Sequence, residues 1–150
     1  MKKKTQIKTG KASYTLMKDG KETDVKMATY GMKFDHSIPK GYPDLSKVFK
    51  KIRKKSYVCT EIADELQETI FKKRKTVVMG YSIYDNTTAK IGEDEEGHDF
   101  LVVDGKYIVD LWYRDYYEKN FPFYFPIERA SELYGNPKLW VKSGNDFVEE

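Results

Sequence analysis

The chain has 150 residues, 39% of them hydrophobic, 15% aromatic and 34% charged, enough apolar mass to bury a core without disulfides or metals, which excludes a disordered or fibrous class. A net charge of only +3 speaks against a dedicated nucleic-acid binder. No run of about 18 apolar residues suggests a membrane span, and a lone cysteine, Cys59, excludes an internal disulfide or a cysteine-rich zinc site.

One domain over residues 1–150 is expected, cytoplasmic, with no cofactor and no metal. The N-terminus "MKKKTQIKTGKASYTLMKDG" is basic but has no apolar stretch of the kind a secretion signal needs. The other basic runs, "KVFKKIRKK" and "KKRK", read as solvated helix faces and helix ends rather than as phosphate contacts.

From Ala12 to Tyr30 the alternating pattern around Asp19-Gly20 predicts an antiparallel pair. "FDHSIPKGYPDL" is a loop punctuated by Pro39, Gly41 and Pro43. In "DLSKVFKKIRKK", Leu45, Val48, Phe49 and Ile52 recur at helical spacing, which predicts a first amphipathic helix.

"SYVCTEIADELQETIFKKRK" predicts a second helix. Cys59, Ile62, Ala63, Leu66 and Ile70 fall on one stripe, Ser56 is the expected N-cap, acids come early, and the basic run closes the C-terminus. Cys59 opens the buried face. "TVVMGYSIYDN" is then a buried strand from about Thr76 to Tyr84. "DNTTAKIGEDEEG" reads as a solvated, mobile loop, whose acids Glu93 to Glu96 lack the ligand alternation of a calcium loop and lead into the next strand as a lid would.

"GHDFLVVDGKYIVDLW" predicts a hairpin about Asp104-Gly105, with His98 near one end and Asp110 near the other. A two-residue turn pairs Val103 with Lys106 and puts His98 and Asp110 on opposite faces. A bulged three-residue loop pairs Val102 with Lys106 and sets His98 directly opposite Asp110, with Cβ atoms about 5 Å apart. The second register is expected, because it lets the carboxylate accept the imidazole Nδ1–H instead of leaving two buried polar groups unpaired at about 1–3 kcal/mol each. Asp104 serves only the turn. Downstream, "FPFYFP" is core, wall or one rim of a groove. "PIERASELYG" predicts a short helix from Pro126 to Gly135, and the tail adds an edge strand.

Free cysteine is commonly a small core side chain, and a lone histidine is commonly structural. The three together carry more. A thiol at a helix N-terminus beside an imidazolium is where a nucleophile is activated, so Cys59, His98 and Asp110 form a candidate catalytic set of nucleophile, base and orienting acid. His36 competes as the base, but it lies in a Pro/Gly-rich loop with no acid placed across a ladder from it.

The stretches "YVCTEIADEL" and "GHDFLVVDGKYIVDLW", with the long connector between Cys59 and His98, resemble the papain-like superfamily, in particular its transglutaminase-like branch. That branch includes arylamine N-acetyltransferases and bacterial transglutaminase-like cysteine proteinases. The resemblance covers roughly residues 56 to 113. Cell-wall peptidases of the NlpC type are similar in order but usually carry a second histidine where this chain has Asp110. The resemblance implies an α+β fold with a nucleophile helix packed on an antiparallel sheet. It also implies acyl transfer through a thioester on Cys59, with a peptide or protein as substrate and neither nucleic acid nor membrane as partner. The contrasting expectation is a catalytically silent scaffold of the same fold that binds a protein partner.

Overall fold

The computed structural model describes residues 15–18, 21–24, 28–29, 31–55, 57–92 and 97–143. The expected cap Ser56, the turn residues Asp19-Gly20 and the acidic run Glu93 to Glu96 lie outside them. In chain order the elements are β1 (Thr15–Lys18), β2 (Lys21–Asp24), α1 (Ser46–Arg53), α2 (Cys59–Glu68), β3 (Thr76–Ser82), β4 (Gly97–Val103), β5 (Tyr107–Val109), α3 (Leu111–Tyr116), β6 (Phe125–Pro126), two 3-10 turns (Ile127–Glu132 and Pro137–Leu139) and β7 (Val141–Lys142). β1 and β2 form their own antiparallel pair, with Lys18 opposite Lys21. The other strands make a five-stranded sheet in the order β6-β5-β4-β3-β7, antiparallel at each neighbouring pair. The architecture is α+β.

α2 lies along one face of β3 and β4. Its side chains fix that contact at both ends, Thr60 donating to Asp99 Oδ2 and Gln67 Nε2 to Thr76 Oγ1 at 3.1 Å. Ile62, Ala63 and Leu66 are buried as the helical stripe requires, each large apolar side chain of this kind being worth about 1.5–3 kcal/mol when removed from water. On the other face His98 and Phe100 of β4 meet the rings of Trp112, Tyr134 and Trp140.

Both ends of α2 differ from expectation. The N-cap is Val58, in extended conformation, and the Glu61 carboxylate accepts the Val58 N–H at 2.9 Å, the half of a capping box in which an acid three residues on reaches back to the cap residue. At the other end Thr69 leaves helical geometry, its hydroxyl bonding back to the Glu65 carbonyl at 2.7 Å, and Phe71 N–H closes on the Leu66 carbonyl at 2.9 Å. That turn throws Ile70 out to 42% exposure and drives Phe71 fully into the core. The basic run Lys72 to Lys75 therefore follows the helix instead of ending it.

The stretch expected as a mobile loop is packed as far as it is described. Asn86, Ala89 and Ile91 are all fully buried. Ala89 bridges to Tyr134, and Lys90 N–H donates to the Leu133 carbonyl at 2.8 Å. Asn86 grips Asn136 in both directions, Nδ2 giving to its carbonyl at 3.1 Å and Oδ1 accepting its N–H at 2.9 Å. Gly135 stands between them at φ 73°, with Asn86 Oδ1 filling the space a side chain there would take. The segment 127–132 winds as a 3-10 turn instead of an α-helix, while "FPFYFP" is core at Phe121, Tyr124 and Phe125. Among the described residues no helix is long and apolar enough to cross a membrane.

Candidate active site

The β4–β5 hairpin sets the site, and its register is neither of those expected. Val103 pairs with Tyr107, Val102 with Ile108 and Leu101 with Val109. Asp104 and Gly105 both take positive φ, 56° and 65°, and Lys106 N–H returns to the Val103 carbonyl at 3.0 Å, so Lys106 is the residue left between the paired positions. Asp104 is more than a turn residue. Its carboxylate accepts from Tyr42 Oη at 2.6 Å and Arg74 at 2.9 Å, and its N–H bonds the Lys75 carbonyl at 2.7 Å. These distant partners stabilise the left-handed conformation that a non-glycine residue otherwise adopts at a cost.

β5 ends at Val109, and Asp110 caps α3, its Oδ1 accepting Tyr113 N–H at 3.0 Å. Leu111 and Trp112, expected at the end of the strand, instead begin this helix. The expected direct opposition of His98 and Asp110 is replaced by a diagonal. Because side chains alternate with period two, residues two apart still share a face, and the imidazole spans the offset, with His98 Nε2 at 2.6 Å from Asp110 Oδ2. The nitrogen engaged is Nε2, where Nδ1 was expected. Both side chains are essentially inaccessible.

The same carboxylate oxygen accepts Tyr134 Oη at 2.8 Å. Asp110 therefore receives three donors, the imidazole, a phenol and a backbone N–H, as a buried charge must. Burial disfavours a charged His98 ring, but the Asp110 carboxylate, by its charge and its hydrogen bond, and the Cys59 thiol together hold its pKa well above the ordinary 6.5. Burial and Asp110 likewise push the Tyr134 phenol well above its usual range, which keeps it a donor. Trp112 and Tyr134 flank the imidazole, with ring centroids at 4.8 and 6.0 Å, and fix its plane.

Nδ1, the other ring nitrogen, is buried with no hydrogen-bond partner of regular geometry. Cys59 is the remaining side chain whose hydrogen-bonding and charge act on the ring. It is the first residue of α2 and 9% exposed, next to Val58 at 45%, so the thiol lies just under the surface at a helix end whose first N–H groups lack intrahelical acceptors. The structure thus brings all three candidate residues to one locus. His36 is exposed, against Phe34, and stands apart from it.

Three contributors escaped the sequence reading: Tyr134, Trp112 and the Thr60–Asp99 bond. Asp110 is of the residue type that caps helices, a legible sign by itself. Nothing local marks Tyr134. Among the described residues no three His, Cys, Asp or Glu side chains are grouped as a metal site. No family model, no curated protein and no solved structure matches the chain.

Proposed function

We infer that the protein is a cysteine-dependent acyl-transfer enzyme of papain-like, transglutaminase-like type, acting on a peptide, isopeptide or glutamine amide bond. The observation that carries this reading is a buried imidazole with one nitrogen held by a triply hydrogen-bonded carboxylate and the other left to a thiol that begins a helix. A merely structural histidine has both nitrogens satisfied by ordinary partners.

In the proposed cycle the proton shared between Cys59 and His98 rests on Nδ1, and the sulfur attacks the carbonyl carbon. The developing oxyanion is met by N–H groups at the start of α2, Cys59 N–H among them. Collapse of the tetrahedral species breaks the C–N bond, and His98 delivers its proton to the departing amine. Water, deprotonated by His98, then attacks the thioester, releasing the acid and restoring the thiol. Asp110 turns the ring and stabilises its cation throughout.

The test is alkylation of the native protein by iodoacetamide across pH, read by mass spectrometry at Cys59. An enzyme nucleophile labels without unfolding and slows at least about tenfold in His98→Ala. Labelling only under denaturant, at the same rate in both proteins, would overturn the reading in favour of a silent scaffold. Turnover of peptide, glutamine and acyl-thioester donors then separates hydrolysis, deamidation and transfer.

A further inference from the structure

Beside the start of α2, a cleft of about 380 Å³ opens on the face of β3 and β4 that α2 covers further along. Gly80, Gly97, Asp99, Tyr84 and Val141 are among its walls, and among the described residues Asp99 is the one charged side chain lining it. Two glycines are required here. Asp99 Oδ1 occupies the space a side chain at 80 would need, and the Tyr81 carbonyl lies where one at 97 would stand. Thr60, the residue after Cys59, donates to Asp99 Oδ2, which leaves Oδ1 lying over Gly80 in the wall of the cleft. Tyr84 and Val141, 60% and 56% exposed, supply an apolar rim.

We propose that this cleft receives the side chain of the substrate residue whose carbonyl Cys59 attacks, and that it selects a lysine or arginine. The assignment rests on the acyl-transfer reading above. Thr60 follows Cys59 in the chain, so its bond to Asp99 ties the start of α2 to the wall of the cleft. A carboxylate with no cation among the described residues of the same walls favours a positive ligand, and an aromatic and aliphatic rim suits the methylene stem that lysine and arginine carry beneath their charge. The volume is at the lower end of what small-ligand sites use, enough for a side chain.

The experiment compares chloromethyl ketones of acyl-lysine, acyl-norleucine and acyl-glutamate, which alkylate a cysteine thiolate with loss of chloride, in the native protein and in Asp99→Asn and Asp99→Lys. The readout is the ratio of labelling rates at Cys59 within each protein, so a change in thiol reactivity common to the probes cancels. The lysine probe is expected to exceed norleucine by about tenfold or more, as a charge-assisted hydrogen bond allows. The ratio falls towards unity in Asp99→Asn, and glutamate overtakes lysine in Asp99→Lys. A ratio near one in the native protein, or one unchanged in Asp99→Asn, overturns the assignment. If iodoacetamide labelling still depends on His98 in that case, only the cleft is misassigned. If neither reagent reaches native Cys59, the acyl-transfer reading falls and the cleft assignment falls with it.

Discussion

Asp110 binds His98 from one step beyond the end of its own strand. Their 2.6 Å contact runs from β4 to the cap of α3, so the carboxylate serves two structures at once, orienting an imidazole through Oδ2 and starting a helix through Oδ1. Removing it disturbs both.

The pH dependence of stability follows from this pair. His98 has a folded pKa raised well above 6.5, so the folded state holds a proton that the unfolded chain releases at about that pH. The pair's contribution is full below the unfolded value and is lost as pH rises through the folded one, with a slope of up to about 1.4 kcal/mol per pH unit. Urea unfolding of the native protein from pH 6 upward should show that decline relative to His98→Gln, which should lack it. Parallel pH profiles would contradict the coupling.

Asp110→Ala leaves the imidazole and the Tyr134 hydroxyl without their acceptor. A loss of about 3–5 kcal/mol is expected from breaking a buried charged pair, measured by denaturant midpoint. Asp110→Asn keeps an acceptor for Tyr113 N–H and should lose less stability, yet still slow Cys59 alkylation at neutral pH.

Tyr134→Phe removes one hydroxyl and no ring. The lost bond to a charged acceptor predicts about 1.5–3 kcal/mol of destabilisation. His98 should keep its stacking neighbour, so near-ultraviolet dichroism should change little. A neutral substitution would mean that the hydroxyl contributes nothing to holding the carboxylate.

The end of α2 can be tested by a pair of truncations. Leu66, fully buried, should lose about 2–5 kcal/mol on mutation to Ala, while Ile70→Ala, at 42% exposure, should stay within about 0.5 kcal/mol of the native protein. Equal losses would place Ile70 back on the buried stripe.

That comparison also marks how far local pattern carries. The stripe Cys59, Ile62, Ala63 and Leu66 is legible because the helical period is local. Its next member is not, because Thr69 ends the helix and Phe71 takes the inward place against Tyr124. The period of two, by contrast, places His98 and Asp110 on one face only once the register is known. That register depends on Tyr42, Arg74 and Lys75 gripping Asp104, contacts from far along the chain that no turn rule contains. Tyr134 was invisible for the same reason. Its position is set by the Asn86–Asn136 clasp and the Ala89 bridge, which join segments that read as loop and helix end.

The clasp has a temporal meaning as well. During synthesis the thiol, the imidazole and the carboxylate all emerge before Tyr134 does, and until Asn136 follows, the clasp that helps hold that phenol against Asp110 cannot form. A nascent chain would carry the sulfur while its orienting partners were still loose, and its reactivity should rise only as the stretch from Tyr134 to Asn136 docks.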